Sequence, residues 1–148
     1  MKKFFITFFF VIVVILHTNV SAHTDHYKNF KSIEMEVFKD NKYIGFSKFF
    51  FNKTKKKFEV KNITEFQVKL MGVTVFSIKS EGLEIYENDQ LTYFKSDTVQ
   101  NDKKKFVEVF FDEENKNFKI NGSSYIGTGN LENIIGNWWN HRILQSDT

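Results

Sequence analysis

The 148-residue chain contains no cysteine, no proline and seven glycines. Without cysteine it cannot support thiol catalysis, thiolate zinc sites or iron–sulfur clusters. It also has no disulfides, which a domain of this size does not need because it can bury a sizeable hydrophobic core. No glycine-rich phosphate loop and no G-x-S-x-G motif occurs in the sequence. We therefore predict a protein that is not an enzyme and that uses no cofactor.

A strong charge of one sign is also missing. The chain has 21 basic and 18 acidic residues, and two of the basic ones, Lys2 and Lys3, lie within the first 22 residues. The remaining sequence carries a net charge of +1, which does not favour a nucleic-acid partner. The lysine runs at 55–57 and 103–105 are interpreted as turns in water.

The one long apolar run occupies residues 4–16, which are apolar apart from Thr7. Lys2 and Lys3 precede this run, and small or modest side chains follow at residues 20–22, which is the pattern of a secretory signal peptide. A membrane-spanning helix needs ~20 apolar residues, and the run stops before that. We expect residues 1–22 to be cleaved, leaving a soluble protein that is exported to a bacterial periplasm and starts with a polar arm at 23–29.

Residues 58–70 indicate the fold class. Apolar or β-branched side chains alternate there with charged or amide side chains, as in a strand with one dry and one wet face. The dry positions are Phe58, Val60, Thr64, Phe66, Val68 and Leu70. Turn signals such as Asp40-Asn41 and Met71-Gly72 recur at hairpin spacing, and no long helical pattern separates the strands. This predicts one all-β domain over residues 30–144, with a curved antiparallel sheet or half-barrel of about seven strands.

Glycines predict the irregular points of this sheet. Gly45 is expected to mark a bend or bulge within its strand, and Gly82 a corner that interrupts the strand at 73–86. The charged stretch 100–104 and the glycine- and serine-rich stretch 122–129 are both predicted to be loops.

A different period begins at residue 130. Five apolar residues follow the spacing of one helix face, and they are Leu131, Ile134, Ile135, Trp138 and Trp139. We predict that residues 130–144 form a short helix or lid segment across an open end of the sheet. Neighbouring helical side chains point about 100° apart, so one tryptophan should be buried and the other should lie near the rim.

Phenylalanine is abundant, and 14 of the 19 remain after the predicted cleavage. The run at 49–51 places aromatic rings on both faces of one strand, which either fills a core and a second contact or forms an apolar ligand surface. The candidate ligand-binding residues are Phe46, Phe50, Phe66, Phe94, Trp138 and Trp139.

Histidines near the predicted mature N-terminus form the one metal-like cluster. A free amine on His23 would chelate copper together with its imidazole, and His26 or His141 could add a nitrogen. The alternative is a solvated arm without metal.

Several stretches together resemble a family of small exported bacterial proteins of unknown function. They are KYIGFSKFFF at 42–51, the central run at 58–98, and NWWN at 137–140. Within them, Asp89-Gln90-Leu91, the stretch 93–98 and Trp139-Asn140 match the soft motifs of that family. The layout is more distantly similar to periplasmic lipoprotein carriers, whose incomplete barrel holds acyl chains under a helical lid. This resemblance implies a similar architecture, whereas the carriers' functional residues have no clear counterpart here.

Three functions follow as hypotheses. The first is a non-enzymatic envelope protein that binds an apolar ligand, lipid or lipidated partner in the concave face. The second is a structural or assembly factor without a ligand, and the third is a copper-binding protein that uses the processed N-terminus. Because the edges of an open sheet invite association while nearby lysine-rich turns oppose it, we expect a monomer or weak dimer.

Overall fold

One sheet of eight antiparallel strands makes up the domain, as the computed structural model of the chain shows for Tyr27, residues 29–131 and Trp139. The strands are β1 (Ser32–Lys39), β2 (Lys42–Lys53), β3 (Lys57–Leu70), β4 (Val73–Glu87), β5 (Gln90–Gln100), β6 (Lys103–Asp112), β7 (Asn117–Gly122) and β8 (Ile126–Gly129). Each strand pairs with its neighbours in sequence, and the curved sheet does not close. The predicted all-β class is therefore confirmed. Within the described ranges, no helix is long and apolar enough to cross a membrane.

Two-residue turns connect four of the hairpins. Both central residues have positive φ in each, and the pairs are Asp40-Asn41, Met71-Gly72, Asn88-Asp89 and Asn101-Asp102. Such turns match the twist of the flanking strands, and Asn, Asp and Gly adopt them at low cost. The turn predicted at Asp40-Asn41 is confirmed. The loop predicted at 100–104 is shorter in the structure, because β5 continues to Gln100 and β6 starts at Lys103.

The eighth strand was missed in the sequence. The stretch 122–129 contains β8, which pairs with β7 through Gly127 opposite Ile120 and Gly129 opposite Phe118. Glycine has no side chain to contribute to an alternating pattern, so this strand gives no periodic signal. The loop prediction was therefore wrong for 126–129, and the sheet has eight strands rather than about seven.

Gly45 and Gly82 behave differently from each other. Val37 pairs with Gly45 and Phe38 with Tyr43, so Ile44 is an extra residue and the bulge predicted near Gly45 is present. A Cβ on Gly45 would collide with the backbone of β3. The corner predicted at Gly82 is absent, because β4 pairs with β3 without interruption at that position.

The hydrophobic core lies on one face of the sheet, here called the inner face, on which Trp139 packs. The buried apolar residues of this core are Phe49, Phe58, Val60, Tyr86, Leu91, Phe94, Val109, Phe118 and Trp139. Aromatic rings surround Trp139, with Phe51 and Phe58 at centroid distances of 5.6 and 6.1 Å. Tyr27, in the predicted polar arm, also packs its ring against Trp139 at 5.2 Å. The predicted lid at 130–144 lies outside the described residues apart from Asn130, Leu131 and Trp139.

Candidate functional site

A buried carboxylate lies in the middle of the hydrophobic core. Glu84 has an exposed fraction of 0% and projects from β4 onto the inner face. The hydroxyl of Tyr86 donates to its Oε2 at 2.6 Å, and the indole Nε1–H of Trp139 donates to its Oε1 at 3.1 Å. A buried carboxylate is stable only when its oxygens accept hydrogen bonds, so these two donors explain how the core accommodates it.

Asn62 extends this polar centre onto β3. Its side chain is buried and lies directly over Gly82, which is its register partner on β4. A Cβ on Gly82 would overlap the amide oxygen of Asn62. Gly82 therefore makes room for a buried amide instead of bending the strand.

Hydroxyl groups cross the inner face next to this centre, four of them in one cross-strand row and Ser96 in the row beside it. We call this group the hydroxyl belt, and its members are Ser47, Thr64, Ser80, Ser96 and Thr98. Ser47 and Thr64 are 2.7 Å apart, Ser80 and Thr98 are 2.7 Å apart, and Ser80 and Ser96 are 3.1 Å apart. The belt divides the inner face into the packed core on one side and a second apolar area on the other.

That second apolar area is here called the open half. It consists of four half-buried side chains from β3 and β4, and they are Phe66, Val68, Phe76 and Ile78. Phe66 and Phe76 pair with a ring distance of 5.9 Å. Among the described residues, none of these four belongs to the buried core or packs against it. The open half is therefore an apolar surface separate from the core.

A small pocket of about 260 Å³ adjoins the belt on the β6 and β7 side. Ser96 and Thr98 line one wall, and Lys105, the register partner of Thr98, lines another. The Lys105 ammonium donates to Gln100 Oε1 at 2.8 Å. A polar group with negative charge would find hydroxyl donors and one cation here.

The predicted ligand residues do not form a single surface. Phe66 lies in the open half, and Phe94 is buried in the core beside Glu84, its register partner. Phe46 and Phe50 lie on the opposite, outer face, where Phe50 is 45% exposed and Lys48 covers the Phe46 ring at 5.1 Å.

Of the two tryptophans and the three candidate copper ligands, the structure describes Trp139 alone. Trp139 is 2% exposed and lies in the core. Trp138, His23, His26 and His141 lie outside the described residues. Within Tyr27, residues 29–131 and Trp139, no group of three or more His, Cys, Asp or Glu side chains is arranged to hold a metal ion.

Two adjoining grooves of about 470 and 460 Å³ run along the outer face. Apolar floor residues such as Phe50 and Ile63 alternate there with charged side chains. Lys95 pairs with Asp97 at 3.1 Å, and Glu65 pairs with Lys79 at 3.6 Å across the neighbouring rows. The grooves therefore have larger volumes than the inner pocket, but charged side chains that face water line them.

Sequence reasoning missed the polar centre of the core. Glu84 and Asn62 both occupy dry positions of their strands, but Leu83 and Ile85 beside Glu84 concealed which face of β4 is dry. The register with β3 resolves the faces, because Val60 pairs with Glu84 and Phe58 with Tyr86. Only the pairing register of β3 with β4 shows that a carboxylate lies among these apolar residues.

A family model described as a domain of unknown function, DUF6134, matches residues 35–148. The chain belongs to this family. The DUF6134 match begins within β1 and includes every later strand, the polar centre and Trp139, which confirms the predicted membership of an uncharacterised family. No curated protein and no solved structure matches the chain, so the likeness to lipoprotein carriers stays a prediction.

Proposed function

We propose that this protein is an exported, non-enzymatic binding protein that holds an amphiphile with an acyl chain on its inner face. The observation that carries the proposal is the open half, an apolar surface beyond the hydroxyl belt. The sequence of residues 1–22 supports export.

The energetics favour an apolar occupant. Complete burial of one large apolar side chain stabilises a protein by ~1.5–3 kcal/mol, and the four side chains of the open half are only half-buried. An acyl chain laid over them would gain ~0.8 kcal/mol for each methylene group removed from water. Phe66 and Phe76 form the centre of this surface, and Ile78 extends it towards the belt.

The polar groups beside the open half favour an amphiphile over a hydrocarbon. A ligand with an acyl chain on Ile78 would place its polar end near Ser80 and Thr98 of the belt. Lys105 follows Thr98 in the same cross-strand row, so a carboxylate or phosphate end would be matched in charge. This arrangement is typical of lipid sites, which are mostly apolar with a few polar groups that fix orientation.

Titration calorimetry with palmitate tests the proposal, using the protein that starts at residue 23 after the predicted cleavage. We expect one palmitate per chain, and we expect Ile78→Asp to weaken binding by at least about tenfold because a carboxylate would meet the acyl chain. Phe50→Asp is the matched control, since it puts the same charge on the apolar floor of the outer groove. Circular dichroism melting of both variants confirms that each is folded.

The outcomes separate the candidate functions. If Phe50→Asp abolishes binding and Ile78→Asp does not, the ligand lies in the outer groove and the inner-face proposal is wrong. If the wild-type protein binds neither palmitate nor a lysophospholipid, the inner-face proposal is wrong, and the structural-factor and copper-binding hypotheses remain.

A further inference from the structure

The hairpin of β3 and β4 continues past its pairing with both neighbouring strands. β2 pairs with β3 only as far as Phe66, and β5 pairs with β4 only from Ile78 onwards. The chain between these points, residues 67–77, is a ribbon of two strands that pair only with each other. At ~3.3 Å per residue the ribbon reaches more than 10 Å past its last pairing with β2 and β5.

The tip of this ribbon is apolar and exposed. Leu70, Met71 and Val73 have exposed fractions of 63%, 97% and 66%. Val75 beside them is also exposed and lies in a bulge, because Val68 pairs with Phe76 and Lys69 with Thr74. Scattered apolar residues on a surface are ordinary, but adjacent ones at a protruding tip mark an interaction surface.

The next turn braces the base of the ribbon. The backbone N–H of Ser77 donates to Asn101 Oδ1 at 2.8 Å, and the Asn101 N–H donates to the Ser77 carbonyl at 3.1 Å. These reciprocal bonds attach the base of the ribbon to the turn between β5 and β6, next to residues 103–105.

The end of the sheet that carries the apolar tip is rich in lysine. In an antiparallel meander, the turns after β1, β3 and β5 lie at one end. Six lysines lie in or next to these turns, against two aspartates, Asp40 and Asp102. The lysines are Lys39, Lys42, Lys69, Lys103, Lys104 and Lys105. Lysines of this number near a surface attract anionic lipid headgroups and repel cationic partners.

We propose that the tip of this ribbon docks the protein onto an anionic lipid bilayer. Leu70, Met71 and Val73 enter the interface between headgroups and acyl chains, and the surrounding lysines contact the anionic headgroups. A hairpin suits this position because its strands satisfy many of their backbone hydrogen bonds with each other, which lowers the cost of leaving water. Apolar insertion combined with basic residues is the arrangement that gives stable but reversible attachment.

Co-sedimentation with vesicles is the first test. The protein that starts at residue 23 is mixed with two kinds of vesicle. One kind is phosphatidylcholine alone, and the other also contains about 30% phosphatidylglycerol, which is anionic. We expect binding to the anionic vesicles, weakened at least about tenfold by Met71→Asp and about fivefold by Lys104→Gln. Asp tolerates the positive φ of Met71, so this variant should remain folded. Phe30→Asp is the control, since Phe30 is 54% exposed near the opposite end of the sheet.

A fluorescent label gives an independent readout. The chain has no cysteine, so Met71→Cys and Phe30→Cys each provide a single thiol for an environment-sensitive dye. We expect anionic vesicles to shift the emission of the label at position 71 to the blue and to leave the label at position 30 unchanged.

Four results would overturn the proposal. They are no binding to anionic vesicles, equal binding by Met71→Asp and wild type, equal shifts from both labels, and a lipid-independent dimer in sedimentation that Met71→Asp abolishes. The last result would identify a second copy of this chain as the occupant of the tip.

Discussion

The indole of Trp139 donates a hydrogen bond to the carboxylate of Glu84, which lies 55 residues earlier in the chain. Both side chains are buried among aromatic rings. The bond attaches a residue that follows β8 to the centre of β4, and it gives the core a buried polar contact. Such buried polar contacts specify a unique packing when every partner is satisfied.

Replacement of Glu84 by leucine tests the importance of this contact for stability. Glu84→Leu removes the acceptor shared by Tyr86 and Trp139, and each buried donor left without it costs ~1–3 kcal/mol. We expect the free energy of unfolding to fall by about 2–5 kcal/mol, measured by urea denaturation. Glu81→Leu is the matched control, because this neighbouring glutamate is exposed and should change the stability by less than about 0.5 kcal/mol.

Two substitutions of Trp139 separate its packing from its hydrogen bond. Trp139→Ala removes the ring on which Phe51 and Phe58 pack, and should cost ~3–5 kcal/mol. Trp139→Phe keeps an aromatic ring but removes the Nε1–H, so it should cost about 1–3 kcal/mol. In the background of Glu84→Leu, Trp139→Phe should cost less than it does in the wild type. Additive costs in this double-mutant cycle would show that the hydrogen bond does not couple the two residues.

Tyr93 on the outer face should titrate unusually late. Its hydroxyl donates to Glu108 at 2.6 Å, and this bond, with burial and the nearby negative charge, raises the pKa of Tyr93 to about 12. Because the folded pKa lies above the unfolded value of ~10, the bond stabilises the protein below pH 10 and this contribution is lost between pH 10 and about 12. Ultraviolet titration of the wild type should show a late phenol that is lost in Glu108→Gln. A wild-type titration in which all phenols ionise near pH 10 would contradict this hydrogen bond.

Asp112 should contribute more to stability at neutral pH than in acid. Lys119 lies 2.6 Å from its carboxylate, and Asn115 donates to both of its oxygens. The ion pair with Lys119, followed by the bonds from Asn115, holds the pKa of Asp112 well below its usual range. A depressed folded pKa stabilises above the unfolded value of ~4, and this contribution disappears as the pH falls below it. Asp112→Asn should therefore lower the melting temperature at pH 7 and have a smaller effect at pH 2; an equal effect at both values would rule out this charge contribution.

Alternation and turn chemistry made most of the sheet predictable from sequence. The dry positions Phe58 and Val60 are buried as expected, and the hairpin at Asp40-Asn41 follows from the tolerance of both residues for positive φ. β8 was not predictable in this way, since glycine occupies two of its four positions and only pairing with β7 makes it a strand.

The candidate site was less accessible to sequence reasoning than the fold. Phe46 and Phe66 lie on opposite faces of the sheet, and their positions depend on the bulge at Ile44 and on the register of β2 with β3. A shift of one residue moves a side chain to the other face, so composition alone cannot assign phenylalanines to one wall. Tertiary pairing also decides that Glu84 is buried, whereas an isolated strand would expose it.

The order of the strands affects how the chain folds. Because every strand pairs with the one before it, each new hairpin closes only a short loop, which keeps the entropy cost of each step low. The sheet can therefore grow strand by strand as the chain becomes available. Trp139, which follows β8, supplies a central ring of the core and a donor to Glu84. A chain truncated after β8 would have all eight strands but would lack Trp139 in its core, so the domain reaches its full stability only when Trp139 has joined the sheet.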